Sequence, residues 1–282
     1  MTAANPTNIL VIGQGDIGNP VTNQLAQQNQ QVTGLARRER SNYRLDDKVG
    51  FLQEDALKLT AEQISDFTHI AIIVTPDQYD VEAYKNTYFG IAQHIADLAD
   101  DLPKLKRVVF ISSTGVYGQD DGEWIDVTVE PVEPKRGASV YILKAEQVLQ
   151  QTYGDRAVII RPSGIYGEER LMRVRKAQEA EKSSMPKYVW TNRIMDTDLI
   201  TIITNVLTLA DEEVQPVYLA SDYAPVTSYE MAQWLCEKLD TAIPEIDDTT
   251  TVSGKRLHSN IPLAWLTYPD WQSGYQHILQ HL

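Results

Sequence analysis

Short apolar runs alternate with amphipathic stretches through the first 167 residues of the chain. This alternation is typical of parallel strands that are joined by crossover helices. The pattern predicts strands at residues 8–12, 31–36, 50–53, 70–74, 106–113 and 156–162. It predicts helices at residues 21–30, 81–100 and roughly 139–152. We therefore predict an α/β fold of the Rossmann type, a doubly wound parallel sheet with helices on both faces.

After Gly167 the alternation weakens, and polar segments, prolines and aromatic residues interleave. One more strand is predicted at residues 217–220 and one more helix at residues 228–239. We divide the chain into a nucleotide-binding domain, residues 1–167, and a small C-terminal substrate-binding lobe, residues 168–282, with segments that return to the first domain. Ligands of such sheets bind beyond the carboxyl ends of the strands, so we expect the lobe to cover that edge.

The first predicted strand runs directly into a GxGxxG motif formed by Gly13, Gly15 and Gly18. In a strand–helix–strand unit, the first glycine makes a tight turn and the second lets a pyrophosphate approach the backbone. The third glycine allows close packing of helix against strand. The helix N-terminus offers free N–H groups to the phosphates, and Asp16 and Ile17 lie in this turn. The motif predicts binding of a dinucleotide.

The net charge of −14 argues against nucleic acids and anionic membranes as main partners, and favours a small-molecule substrate. Cys236 is the only cysteine, so an intrachain disulfide is excluded and a cytoplasmic location is expected. No apolar run approaches the roughly 20 residues of a membrane-spanning helix. The five histidines show no metal-ligand spacing, so we expect no metal site.

Three further motifs resemble those of the extended short-chain dehydrogenases/reductases, the NAD-dependent epimerase/dehydratase family. They read SSTGVYG at residues 112–118, RPSGIYG at residues 161–167 and NRIMDTD at residues 192–198. Their order and spacing match the family and cover most of the chain. The glycine motif departs from the family's TGxxGxxG, which indicates an atypical branch. The resemblance implies a Rossmann fold that binds NAD or NADP.

The resemblance also implies that Ser113 is the catalytic serine, which hydrogen-bonds the reacting oxygen of the substrate. Sugar dehydratases of the family carry Asp and Glu where this chain has Thr114 and Gly115. Neither residue can act as a general acid or base, so dehydratase chemistry of the family type is not expected.

The family's catalytic YxxxK motif is not intact in this chain. Tyr141 and Lys144 are three residues apart, and counting back four from Lys144 places a valine at the tyrosine position. Counting from the glutamate that follows the motif, here Glu146, places Ala138 and Ile142 at the two positions. A rotated helix could still present Tyr141 and Lys144 together as the catalytic pair. In the alternative, the tyrosine packs in a helix interface and the lysine is solvated.

The residues after the second strand bear on the choice of cofactor. Arg37 and Arg38 stand where NAD enzymes carry an acidic residue, about 20 residues after the glycines. Guanidinium groups suit a 2′-phosphate, so NADP is preferred to NAD, the alternative being a solvated basic loop. The resemblance places Asp55 at the adenine edge and Thr75 along the pyrophosphate and ribose.

Other positions follow from the resemblance alone. It implies cofactor contacts at Ser112, Pro162 and Gly164. It implies substrate contacts at Thr114 and at Arg193, where related nucleotide-sugar enzymes use a nearby arginine to bind a phosphate.

Two functions remain open from the sequence. The first is an NAD(P)-dependent oxidoreductase or epimerase that acts on a hydroxyl or carbonyl of a small, polar, sugar-like compound. The second is a dinucleotide-binding sensor or regulatory protein without the Tyr–Lys pair. The chain is expected to be a monomer or a homodimer.

Overall fold

The computed structural model describes residues 7–179, 184–247 and 251–282. Its strands are β1 (Asn8–Ile12), β2 (Gln31–Ala36), β3 (Gly50–Gln53), β4 (His69–Ile72), β5 (Arg107–Ile111), β6 (Trp124–Ile125), β7 (Ala157–Pro162), β8 (Gly164–Tyr166), β9 (Ser184–Pro186), β10 (Trp190–Thr191), β11 (Arg193–Met195), β12 (Val217–Ala220), β13 (Val226–Thr227), β14 (Glu245–Asp247) and β15 (Arg256–Leu257). All six strands predicted for the first 167 residues are present, with ends that shift by one or two residues.

The α-helices are α1 (Gly18–Gln27), α2 (Ala61–Ile64), α3 (Val81–Tyr84), α4 (Ile91–Asp97), α5 (Gly137–Tyr153), α6 (Met172–Gln178), α7 (Asp196–Thr208), α8 (Ser228–Leu239) and α9 (Trp271–Gln280). The helix predicted at residues 228–239 is confirmed as α8. The helix predicted at residues 81–100 is interrupted, because a π-helical stretch, Lys85–Gly90, separates α3 from α4. This stretch contains Thr87 and Gly90, residue types that favour a regular α-helix least.

Seven strands form one sheet in the order β12-β7-β5-β4-β1-β2-β3. The pairs from β3 to β7 are parallel, and the strand order reverses beside β1. Strands β1, β4 and β5 are almost continuously buried, as expected for strands that are covered on both faces. The predicted Rossmann-type, doubly wound fold is confirmed.

The chain forms two compact units, and each is discontinuous in sequence. The first, the sheet unit, contains residues 1–116, 133–161 and 200–218. The second, the small unit, contains residues 117–132, 162–199 and 219–282. The segment 200–218 is one of the segments that return to the first unit, whereas residues 117–132 and 162–167, predicted within the nucleotide-binding domain, belong to the small unit.

The small unit has its own apolar core. Its buried side chains come from β8, α6, β11, α8 and α9, and they include Tyr166, Val174, Met195, Met231, Trp271 and Tyr275. Strands β8 and β11 pair in parallel, with Ile165 opposite Ile194. The segments 161–167 and 192–198, which are separate motifs in the sequence, therefore lie side by side in this unit. None of the described helices is long and apolar enough to cross a membrane.

Candidate functional site

The glycine motif forms the turn between β1 and α1, and its three glycines have different surroundings. Gly13 has a φ of +97°, and a Cβ atom there would lie 2.1 Å from the carbonyl oxygen of Ile73. A Cβ atom on Gly18 would lie 2.0 Å from the carbonyl oxygen of Gly13. For Gly15, in contrast, no described atom lies within 4 Å of that position. The outer glycines are needed for packing, and the middle one borders open space.

A buried glutamine, which the sequence analysis did not single out, supports this turn. The Gln14 side-chain amide donates to the Val11 carbonyl at 3.1 Å and to Thr22 Oγ1 at 3.0 Å. Gly34 in β2 makes room for it, because a Cβ atom there would lie 2.8 Å from the Gln14 amide carbon. The only sequence feature that could have identified Gln14 is its position inside the glycine motif.

Helix α1 begins at Gly18 with features that suit an anion. Ile17 provides no side-chain cap, and the first turn contains no acidic residue. Asp16 is exposed and precedes the helix. The first-turn N–H groups carry the positive end of the helix dipole, and a diphosphate is the group that such an end binds. The space at Gly15 and the uncapped helix end together fit a dinucleotide.

Arg37, at the end of β2, is paired with an acidic residue. Its Nη2 lies 2.6 Å from Asp77 Oδ2, and both side chains are mostly exposed. The hydrogen bond and charge of Asp77, with a smaller contribution from Asp55, raise the pKa of Arg37. Arg38 is exposed. An aspartate from the segment after β4 therefore pairs with one of the two arginines that are predicted to meet a 2′-phosphate.

Two other predicted cofactor residues lie at strand ends in the sheet unit. Asp55 follows β3, and its Oδ1 accepts the backbone N–H of Leu57 at 3.0 Å. Thr75 follows β4 and is exposed, next to the buried Pro76. Both lie at the carboxyl end of the sheet, where the fold binds ligands, and their cofactor contacts stay predictions.

Ser112 belongs to a buried polar network and does not present its hydroxyl to open space. The hydroxyl donates a short hydrogen bond to Glu146 Oε1. Arg161 binds the same carboxylate with both edges, Nε to Oε1 at 3.0 Å and Nη2 to Oε2 at 2.6 Å. Glu146 is only 1% exposed. The Ser112 hydroxyl is therefore engaged in this network, and the cofactor contact predicted for Ser112 stays a prediction.

Ser113 and Thr114 are half-buried at the end of β5. Ser113 Oγ accepts the N–H of Gly115 at 3.0 Å. A Cβ atom on Gly115 would lie 3.2 Å from Ser113 Oγ and 3.3 Å from Ser139 Oγ. Ser113 therefore faces the first turn of α5, the helix that carries the family's second catalytic motif.

The buried face of α5 indicates the register of the YxxxK motif. Glu146 is held inside by Arg161, and Ile142, one turn earlier, is 4% exposed. Lys144 is exposed, and its ammonium nitrogen lies 5.3 Å from the centre of the Tyr141 ring. The structure brings these two side chains together as an ammonium over a ring. The helix is not rotated to turn both of them inward, because its apolar face and Glu146 already fill that side.

The small unit contains a buried guanidinium at the predicted substrate residue. Arg193 in β11 is 8% exposed, and its Nε and Nη2 have no hydrogen-bond partner among the described residues. Burial lowers its pKa. Gly164 in β8 makes room for it, since a Cβ atom there would lie 2.1 Å from Arg193 Nη1. Pro162 is buried at the end of β7, and the cofactor contacts predicted for Pro162 and Gly164 stay predictions.

A cavity of about 510 Å³ in the small unit opens onto this guanidinium. Its lining is strongly basic and includes Arg170, Arg173, Arg175, Lys176, Arg193 and Tyr275. Asp222, whose charge also acts on Arg193, is buried, and this burial raises the pKa of Asp222 to about 8. Burial therefore favours the neutral form of Asp222, which reduces the negative charge that can pair with Arg193.

Comparison with solved structures supports the fold. A Methylobacillus flagellatus protein, described as belonging to the NAD-dependent epimerases/dehydratases, is 28% identical with a TM-score of 0.77 over 98% of this chain and 99% of that one. A Silicibacter pomeroyi protein of unknown function is 20% identical, with a TM-score of 0.68 over 98% and 99%. The UDP-glucuronic acid 4-epimerase of Bacillus cereus, solved with NAD, is 16% identical, with a TM-score of 0.73 over 97% and 99%. The last two likenesses concern the fold alone.

No curated protein matches the sequence. A family model described as the NAD dependent epimerase/dehydratase family, however, matches residues 9–202. This match spans more than half of the chain, including the glycine turn, the end of β5, helix α5 and Arg193. The chain therefore belongs to the NAD-dependent epimerase/dehydratase family.

Proposed function

We propose that the protein is an NAD(P)-dependent oxidoreductase or epimerase that acts on a hydroxyl or carbonyl of a small, polar, sugar-like substrate. The observation that carries the proposal is the open space at Gly15, beside an uncapped helix end and between two glycines that packing requires. A turn of this kind suits a diphosphate. A bound nicotinamide cofactor supplies the hydride acceptor or donor.

NADP is the preferred cofactor in this proposal. Arg37 and Arg38 provide the bidentate donors that a 2′-phosphate needs. Asp77 Oδ2 lies 2.6 Å from Arg37 Nη2 and offsets part of its charge. This pairing reduces the expected difference in affinity between NADP and NAD. Gly13, Gly15 and Gly18 hold the diphosphate, Asp55 binds the adenine edge, and Thr75 lines the pyrophosphate and ribose.

On the substrate side, Ser113 donates a hydrogen bond to the reacting oxygen, and Thr114 lies next to it in the chain. Tyr141 takes or gives the proton, with the Lys144 ammonium nitrogen 5.3 Å from the centre of its ring. Arg193 binds an anionic group of the substrate, because its Nε and Nη2 are buried with no hydrogen-bond partner among the described residues and an anion would accept from them.

The test combines calorimetry with a turnover assay. Wild-type protein is expected to bind NADPH in the micromolar range and to oxidise or reduce at least one compound in a panel of alcohols, aldehydes and nucleotide sugars. Tyr141→Phe and Ser113→Ala should keep cofactor affinity and lose at least about 100-fold in turnover. Tyr229→Phe on α8 is the matched control and should behave as wild type. Full activity of Tyr141→Phe would remove this tyrosine from the mechanism.

A second function, a dinucleotide-binding sensor without turnover, is favoured by one observation. The buried pair of Glu146 with Arg161 supports the register in which Ala138 and Ile142 occupy the tyrosine and lysine positions. Such a protein would bind the cofactor with normal affinity and turn over nothing in the panel. One robust turnover in wild type would exclude it.

A further inference from the structure

Two histidines and a glutamate lie together on the small unit, and none of the three lines the cavity at Arg193. His277 and His281 are four residues apart at the C-terminal end of α9, and their ring centres are 4.3 Å apart. Glu168 follows β8, more than a hundred residues earlier in the chain, and its Oε1 lies 3.1 Å from His277 Nε2. One ligand atom from each residue lies within 4.8 Å of the other two.

We propose that Glu168, His277 and His281 bind a divalent transition-metal ion of the Zn²⁺ class. Imidazole nitrogens suit Zn²⁺, Cu²⁺ and Ni²⁺, whereas Mg²⁺ and Ca²⁺ prefer oxygen ligands alone. Ligands at about 2.0–2.2 Å from Zn²⁺ stand roughly 3.3 Å apart in a tetrahedron. The three side chains reach this spacing with small rotations, because Glu168 and His281 are exposed and free to adjust.

The hydrogen bonds of the two histidines support this assignment. His281 Nδ1 lies 2.8 Å from the carbonyl oxygen of His277. A carbonyl only accepts, so Nδ1 carries the proton and Nε2 keeps its lone pair for a metal. His277 Nε2 faces the Glu168 carboxylate, with a shared proton between them. A metal ion can replace that proton and bind both side chains. Two histidines at i and i+4 lie on one face of a helix, as a shared ion requires.

Such an ion would tie the last turn of α9 to the segment that follows β8. With three protein ligands, one position of a tetrahedral ion would be left for water. The proposal corrects the expectation of no metal site: the i, i+4 spacing is present in the sequence, and the third ligand is brought close only by the fold. It does not depend on the proposed function.

The experiment titrates untagged, metal-free full-length protein with ZnCl₂ by calorimetry. One saturable site per chain is expected, and MgCl₂ should give no heat. His277→Ala, His281→Ala and Glu168→Gln should each weaken Zn²⁺ binding at least about tenfold. His258→Ala, at an exposed histidine elsewhere in the small unit, is the matched control and should leave the affinity unchanged.

A second measurement needs no variant. Zn²⁺ should protect His277 and His281 of wild-type protein from diethyl pyrocarbonate and leave His258 reactive, as read by mass spectrometry. Absence of saturable binding would overturn the proposal. So would an affinity that falls less than tenfold in His277→Ala, or modification of His277 that Zn²⁺ does not slow.

Discussion

At the scale of single residues, the middle glycine of the turn differs from its two neighbours. A methyl group on Gly18 would meet a carbonyl oxygen at 2.0 Å, whereas a methyl group on Gly15 would meet no described atom within 4 Å. Packing therefore explains Gly18 but not Gly15. Under the proposed function, a ligand approaches the backbone at Gly15, and variants of the two glycines test this.

We expect Gly18→Ala to lower the free energy of unfolding by up to about 3 kcal/mol, because the strand or helix must shift. Gly15→Ala should change it by less than about 0.5 kcal/mol and yet weaken NADPH binding at least tenfold. Urea unfolding and calorimetry on the same two variants test this. Unchanged NADPH affinity in a folded Gly15→Ala protein would contradict the assigned diphosphate position.

The carboxylate of Asp77 predicts how cofactor preference can be altered. Asp77→Asn keeps the shape of the side chain and removes the charge that offsets Arg37. We expect NADPH affinity to rise several-fold and NADH affinity to stay within about twofold, because only NADPH carries the 2′-phosphate. Asp100→Asn, an exposed aspartate elsewhere in the sheet unit, is the control. Equal changes for both cofactors would place Arg37 away from the 2′ position.

Asp222 predicts a dependence of stability on pH. Burial raises its pKa from 3.8 to about 8, so the folded protein disfavours the charged form. Its stabilising contribution is complete below about pH 4 and is lost as the pH rises through about 8. Asp222→Asn keeps an oxygen for the Ala224 N–H and should flatten this dependence. Urea unfolding of both proteins between about pH 5 and 8 checks it; parallel curves would contradict the raised pKa.

At the scale of elements, α5 shows which information the sequence contained and which it lacked. The helix itself and its bounds within two residues followed from the pattern, whereas the burial of Glu146 was not predicted. The register of the YxxxK motif could not be predicted from the pattern, because the sequence allowed counting either from Lys144 or from Glu146. The contact that decides the buried face is with Arg161 in β7, a partner that helical periodicity cannot identify.

The buried pair between α5 and β7 is expected to be costly to break. Glu146→Gln removes the carboxylate that accepts two hydrogen bonds from Arg161 at a site that is 6% exposed, and we expect a loss of about 3–5 kcal/mol in the free energy of unfolding in urea. Glu82→Gln is the matched control, since Glu82 pairs with Lys85 at an exposed position and should cost less than about 1 kcal/mol. A loss below 1 kcal/mol for Glu146→Gln would show that the pair is not needed to hold the helix.

At the scale of the whole molecule, the strands of the sheet and their parallel direction could be predicted, because apolar runs and glycines are local features of the sequence. The composition of the two units could not be predicted, because each is assembled from segments that are far apart in the chain. Arg193 was proposed from a motif, and its burial depends on Gly164, a neighbour in space. The histidines of α9 show the same limit: their partner, Glu168, is distant in sequence.

A fragment that ends at Gly167 is expected to be insoluble or unfolded. The sheet unit also needs residues 200–218, in which Ile202, Ile203 and Val206 are completely buried. Arg107 in β5 is 2% exposed, and its guanidinium donates to the carbonyl oxygens of Val206 and Leu209 at 2.5 and 3.1 Å. In a fragment that lacks these two carbonyl oxygens, the Arg107 guanidinium would be a buried charge whose N–H donors have lost these acceptors. Size-exclusion chromatography and circular dichroism of this fragment and of the full chain test the expectation.

The interrupted sheet unit has a consequence for the order of events during synthesis. On the ribosome, the glycine turn and the first five strands of the sheet emerge long before residues 200–218, which bury Arg107 and complete the edge of the sheet with β12. The sheet unit therefore remains incomplete while residues 162–199 of the small unit are being made. All residues up to 218 therefore have to be synthesised before every segment of the sheet unit is present.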